Sequence, residues 1–248
     1  MTTSSDNPGA ARPTGRRREL IVALDGPSSS GKSTVGAEAA RRLHYRFCDT
    51  GLLYRAVTWL AVHRAVTPDD VAALVPLADD IQLIGDSHGR LRHVEAAGRD
   101  VTTEVREAAV DRAVSDYSKV PELRAALVSR QRAMVVDGGI IMAGRDIGTV
   151  ILPDADVKIY LSASAEERAN RRAAQRKLEA NDPESIQILE ELRRRDEIDS
   201  GRTTAPLRQA ADAVVIRTDG NTFEQTVSAV VRAIAHAREK QGSADVGR

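Results

Sequence analysis

Nine consecutive residues, Gly26-Pro27-Ser28-Ser29-Ser30-Gly31-Lys32-Ser33-Thr34, set two glycines, a lysine and two hydroxyls in the spacing G-x-x-x-x-G-K-[ST]. Glycines at these positions let successive backbone N–H groups converge on a polyphosphate, and a helix that starts at Lys32 adds the positive potential of its N-terminus. Lys32 supplies a point charge for β- and γ-phosphates, and Ser33 a hydroxyl for Mg²⁺. A turn that only opens a helix has no need of a lysine there. The whole run is therefore read as a phosphate-binding loop for a nucleoside triphosphate, with Lys32 catalytic and Ser33 the metal ligand.

Such a loop serves kinases, switches and mechanical ATPases alike, and three further clusters bear on the choice. In Asp49-Thr50-Gly51-Leu52-Leu53-Tyr54-Arg55, Tyr54 and Arg55 fall one turn into a helix that follows a short strand. From there Arg55 can reach an anionic acceptor held near the strand ends. Gly144-Arg145-Asp146 follows another strand at the carboxyl edge, where ligands of α/β sheets bind. The third cluster is Arg193-Arg-Arg-Asp-Glu-Ile-Asp-Ser-Gly-Arg202. Its Arg195, Asp199 and Arg202 share one helical face if the helix extends that far, whereas Arg193 and Arg194 read as solvated charge. The chain has no Asn-Lys-x-Asp run to read guanine and no apolar strand ending in Asp-Glu as in a motor-type ATPase. The alternatives are a small-molecule kinase, acting on CMP, UMP, dTMP or shikimate, and a switch protein that transfers nothing. Acceptor-dependent ADP release separates the two classes.

The elements that must hold these residues follow from the apolar pattern. Short apolar runs at 19–24, 45–48, 139–143, 157–161 and 213–216 predict strands. Amphipathic stretches at 32–43, 52–64, 122–135, 166–177, 186–199 and 223–238 predict helices. The alternation implies α/β architecture, a five-stranded mainly parallel sheet with helices on both faces. The runs Ile81–Ile84 and Leu91–Val94, flanking a turn at His88-Gly89, predict a small antiparallel insert. Residues 1–18 and 240–248 hold no apolar period and are read as disordered tails around a domain at 19–239. In 248 residues, Lys and Arg balance Asp and Glu at 36 each, so global charge points to neither nucleic acid nor a membrane as partner. The single cysteine, Cys48, excludes an internal disulfide and a paired-cysteine zinc site, and fits a core position in a reducing, cytoplasmic compartment. Arg16 to Arg18 precede an apolar run that stops at Asp25, too short for a signal peptide, so export is not expected.

From about Leu20 to Ala235 the chain resembles the bacterial cytidylate kinases. The resemblance rests on the phosphate-binding loop, Asp49 to Arg55, Arg130-Gln-Arg-Ala133, Gly144-Arg-Asp-Ile-Gly-Thr149, Pro153-Asp-Ala-Asp-Val-Lys-Ile159, and Arg195 to Arg202 followed by Ala205-Pro-Leu207. It implies a P-loop NTPase fold, an acceptor-binding insert at about 79–110, a mobile lid at about 176–202, and phosphoryl transfer from ATP to CMP or dCMP by a monomer. It also implies acceptor-phosphate contacts from Arg55, Arg145 and Arg202, and cytosine contacts from Ser115, Arg124 and Asp146. Asp199 with Arg195 would meet the ribose, while Thr50 and Tyr54 line the acceptor pocket. Arg145, Arg195 and Arg202 join Lys32 as catalytic groups. The chain departs from similar proteins at Ile198, where they often carry a further arginine.

The chemistry of the base agrees with that assignment. Cytosine presents an amino donor at N4 where uracil presents a carbonyl, and a carboxylate accepts from the first and repels the second. Phosphoryl transfer needs positioning and charge neutralisation more than covalent work, and an acceptor that arrives as a phosphate dianion requires no general base. Lys32→Ala is accordingly expected to lower turnover at least about a hundredfold with the fold intact, measured as ADP release beside a circular dichroism spectrum.

Overall fold

The computed structural model describes residues 19–179 and 182–246; the expected tail at 1–18 lies outside the described residues. In chain order the elements are β1 (Ile21–Asp25), α1 (Lys32–Leu43), β2 (Arg46–Asp49), α2 (Gly51–His63), α3 (Val71–Leu74), β3 (Ile81–Gly85), β4 (Arg90–Ala96) and β5 (Arg99–Asp100). There follow α4 (Ala108–Ser118), α5 (Pro121–Ala133), β6 (Ile140–Gly144), β7 (Val157–Ser162), α6 (Ala165–Arg176), α7 (Pro183–Gly201), β8 (Val214–Arg217) and α8 (Phe223–Val246). All five expected core strands are present and run parallel in the order β2-β6-β1-β7-β8.

The central strands read as continuous apolar runs because both faces are covered. On one face Val22, Leu24, Phe47, Ile141, Ile159 and Leu161 pack beneath α1 and α8, which contribute Val35, Ala39, Ala40, Val227, Val230 and Ile234. On the other, Ala23, Cys48, Ile140 and Met142 meet Val135, Ile147, Ile151 and Leu152. Cys48 is fully buried and burial pushes its thiol up to about 12, which makes it a core residue without nucleophilic character.

The structure corrects the sequence reading in three places. The antiparallel β3–β4 hairpin forms as expected, but it extends the sheet beyond the five strands expected. Strand β4 pairs parallel with β2 through Phe47↔Arg90 and Cys48↔Leu91, so the described residues form one eight-stranded sheet. Helix α4 was not expected: its Val110, Val114 and Tyr117 are spaced for a helix, but no side chain caps its start to mark where it begins. Helix α8 continues to Val246, past the expected end of order at Lys240. Ala235, Ala237, Glu239, Lys240 and Gln241 are strong helix formers that propagate a turn once begun, and the Gln241 amide donates to Asp156 at 3.1 Å.

Helices α6 and α7 form a hairpin with a small core of their own, Ala169, Ala173, Ile188 and Leu192. Ser164 caps α6 by accepting from the Glu167 N–H, and Asp182 caps α7 by accepting from Glu184, with Pro183 in its first turn. The tie between this hairpin and the phosphate-binding loop is polar. Buried Arg168 donates to the Ser28 carbonyl at 3.2 Å and forks onto Asp196 at 2.5 and 3.1 Å.

Pairing of β1 with β7 sets how the chain leaves the sheet. At Gly26, φ is 153° and a Cβ would stand 2.3 Å from the Leu161 carbonyl oxygen, a backbone atom of the neighbouring strand. Gly26→Ala is expected to destabilise the protein by about 1–3 kcal/mol through overpacking and strain, read as a fall in the urea midpoint at unchanged slope.

Candidate active site

The carboxyl ends of β1, β2 and β6 open onto a cavity of about 770 Å³. Its floor is the loop after β1. Ser29 and Gly31 take positive φ, 58° and 96°, which turns the chain tightly into α1. Lys32 is buried and folds back, donating to the Pro27 carbonyl at 2.6 Å and to Ser30 Oγ at 3.3 Å. Burial and the nearby Arg145 cation hold its ammonium well below the usual lysine range, so an incoming anion would restore proton affinity as well as take the bond from Pro27. Ser28, Ser29, Gly31, Ser33 and Thr34 line the cavity, whereas Gly26, Pro27 and Ser30 form the underside of the loop.

The remaining wall comes from both halves of the molecule. Thr50, Tyr54 and Arg55 enter from the start of α2, and Arg124 from α5. Arg145 and Asp146 enter from the turn after β6, and Arg195, Asp199 and Arg202 from α7 and its end. Arg195 and Asp199 do share a face of α7, while Arg202 sits just past the helix in extended conformation. Asp199 is the hub: Arg145 Nε donates to one oxygen at 2.9 Å and Arg202 to the other. Burial opposes its ionisation, but Arg145, Arg202 and Arg195 outweigh it and hold its carboxyl below the usual range. Buried Asp146 accepts from Arg124 at 2.5 Å, and the Arg124 guanidinium lies 5.3 Å above the Tyr54 ring. The Thr50 hydroxyl is committed to the Ala143 carbonyl at 2.9 Å and so fixes the wall.

Ser115 stands apart from these residues: it is buried and faces a smaller cavity of about 150 Å³ between α4 and α7, which Ile198 also lines. Ser118, one turn on, occupies the main cavity and accepts from Arg202 at 3.1 Å. Arg193 pairs with Glu166 on the surface, as solvated charge should. Other wall residues had no individual signal in the sequence. Asp49 accepts from Ser33 Oγ at 2.5 Å; Arg106, Arg171 and Arg172 add three further cations. The Asn-Arg-Arg run at 170–172 could have suggested two of them, had α6 been placed against the loop.

Nine cationic side chains thus face three carboxylates, Asp49, Asp146 and Asp199, around the cavity. Among the described residues, the buried Nε atoms of Arg124, Arg195 and Arg202 have no acceptor. Donors left over in a desolvated, positively charged cleft await an anionic ligand. A phosphate-binding loop facing this wall across the end of a parallel sheet defines a P-loop phosphotransferase. A family model described as cytidylate kinase matches residues 22–236. A cytidylate kinase of Geobacillus sp. (strain WCH70) is 43% identical over 221 residues, spanning 88% of this chain and 97% of that protein. One of Nocardia farcinica (strain IFM 10152) is 42% identical over 217 residues, 87% and 94% of the two chains. The chain belongs to the cytidylate kinase family.

A further carboxylate braces the site from below. Asp25, at the end of β1, accepts from the backbone N–H groups of Ile147 at 2.8 Å and Gly148 at 2.7 Å, and so pins the turn that carries Arg145 and Asp146. Burial raises its carboxyl from 3.8 to about 6, against the lowering effect of those two bonds. The folded value lies above the unfolded one, so Asp25 contributes stability that is complete below pH 3.8 and is lost as pH rises through 6. The stability of the native protein minus that of Asp25→Asn should therefore fall by up to about 3 kcal/mol between pH 4 and 7. Urea titrations of both proteins across that range measure the difference.

Proposed function

We propose that the chain transfers the γ-phosphoryl group of ATP to CMP, and to dCMP, giving the diphosphate and ADP. The observation that carries this reading is the buried Arg124–Asp146 pair in the same cation-lined cavity as the phosphate-binding loop. Its polar edge suits a base with an amino donor beside an acceptor. The family relatives supply the name of that base, cytosine.

The donor phosphates lie on the loop from Gly26 to Thr34, and Lys32 swings from the Pro27 carbonyl to their β- and γ-oxygens. Mg²⁺ fits beside them. Ser33 Oγ and an Asp49 oxygen stand 2.5 Å apart next to the loop, and a hydroxyl, a carboxylate and phosphate oxygens are the donors this hard cation takes. When bound, the metal neutralises charge on the transferring group. Arg55 and Arg145 hold the acceptor phosphate in line, with Arg202 completing its shell. Arg195 and Asp199 reach the ribose, and Tyr54 lies beneath the base reader. Ser115 requires a small movement of α4 to take part, because it faces the smaller cavity.

The α6–α7 hairpin acts as the lid. Its separate core, its internal Arg168–Asp196 pair and its polar tie from Arg168 to the Ser28 carbonyl let it move as a unit over the phosphates and exclude water, whose attack on ATP is the competing reaction. The β3–β4 hairpin with α4 forms the acceptor side. Among the described residues no helix is long and apolar enough to cross a membrane, and the buried thiol of Cys48 is compatible with a cytoplasmic monomer.

ADP release measured with ATP and Mg²⁺ across CMP, dCMP, UMP, AMP and dTMP tests this function. CMP should give the highest kcat/KM, and release that does not depend on acceptor would refute it. Asp146→Asn tests the base reader. The amide can still accept from N4, but it can also turn its NH₂ toward a uracil O4. The ratio of kcat/KM for CMP over UMP should fall by about 1–3 kcal/mol of discrimination, and a ratio that stays constant while both rates fall would make Asp146 a structural carboxylate.

A further inference from the structure

Asp111, on α4, accepts hydrogen bonds from three guanidiniums at once: Arg55 of α2 and Arg195 of α7 on one oxygen, Arg172 of α6 on the other. Its side chain is only 10% exposed. The three arginines all line the main cavity, and Arg172 and Arg195 also line the smaller one, where Asp111 lies. Asp111 therefore competes from the smaller cavity for guanidiniums that border the phosphate side. Arg55 shows the competition most clearly. Two of its five N–H donors are engaged, one terminal nitrogen on Asp111 and the other on the Val105 carbonyl at 3.2 Å, so a bidentate phosphate contact competes with these bonds.

We propose that Asp111 is a positioning residue that stands in for substrate phosphate. Its carboxylate gathers Arg55, Arg172 and Arg195, and substrate binding takes them from it. This rests on the kinase reading above and adds a competitor for the anion to it. One carboxylate cannot neutralise three guanidiniums, so the cluster keeps a surplus of positive charge and still attracts a polyanion. Because Arg55 belongs to the body and Arg172 and Arg195 to the lid hairpin, the same carboxylate holds the lid against the acceptor side until an anion arrives. Substrate affinity is correspondingly weaker than the arginines alone would give.

The test uses inorganic tripolyphosphate, which needs neither the base site nor turnover. Its binding to the full-length native protein, Asp111→Asn and Asp111→Ser is measured by calorimetry at low salt, with thermal midpoints taken with and without the anion. Removing the competing charge should tighten binding about tenfold, the scale of one unit charge at close range in a partly screened site. Both variants should melt lower than the native protein without tripolyphosphate, and recover with it, because the anion then satisfies the three guanidiniums. Unchanged or weaker binding in the variants would overturn the proposal, since the carboxylate would then be aligning the arginines for the ligand. A midpoint that tripolyphosphate does not restore, or a variant that does not fold even in its presence, would also overturn it and make Asp111 a structural tie. None of these outcomes depends on CMP being the acceptor, which the acceptor panel decides separately.

Discussion

Concentrating like charge at the end of a sheet is the constraint that the rest of the structure answers. Two guanidiniums about 5 Å apart repel by roughly 3 kcal/mol at an effective dielectric of about 20, and this cavity brings nine cations against three carboxylates. The fold tolerates them because at least seven of the nine are braced by a group that costs little: a backbone carbonyl, an aromatic face or a shared aspartate. Lys32 leans on Pro27, Arg124 on Ser118 and Tyr54, Arg145 and Arg202 on Asp199, and Arg55, Arg172 and Arg195 on Asp111. What remains is a surplus of positive charge, which is why the lining of the cleft already describes a polyanionic ligand.

The same constraint explains how the α6–α7 hairpin meets the phosphate-binding loop. An apolar interface between them would lock the hairpin in place. Instead the hairpin keeps a four-residue core of its own, is braced internally by Arg168 and Asp196, and meets the loop through Arg168 and the Ser28 carbonyl. Polar ties of this sort exchange readily with water or with a phosphate. The proposed lid movement would thus leave undisturbed the two apolar layers on the faces of the sheet, where Leu24, Ile141 and Met142 are fully buried.

Much of this was legible before the structure. The loop at Gly26 to Thr34 states its chemistry in its own residues, and the parallel strands announce themselves because burial on both faces demands unbroken apolar runs. Arg55 and Arg145 were recognisable from their place at strand ends. Other features depend on tertiary geometry that no local pattern carries. Asp111 looks like one more charge on a short helix until α2, α6 and α7 converge on it. Asp49 gains meaning only when β2 ends beside Ser33, and Asp25 only when the turn at Ile147 and Gly148 lands on it. The β3–β4 hairpin was visible as a hairpin, but its parallel pairing with β2 joins segments some forty residues apart, beyond the reach of a hydrophobic period.

The central claim is that the surplus of guanidinium charge, rather than the base pocket, supplies most of the acceptor's binding energy. Calorimetric titration of the full-length protein with CMP and with cytidine, at the same pH and ionic strength, tests it directly. The two ligands share the base and ribose and differ only in the phosphate. With charge-assisted bonds worth about 1.5–3 kcal/mol each, CMP should bind at least about a hundredfold more tightly, and the gap should narrow as salt is raised. Cytidine binding within about threefold of CMP would contradict the account.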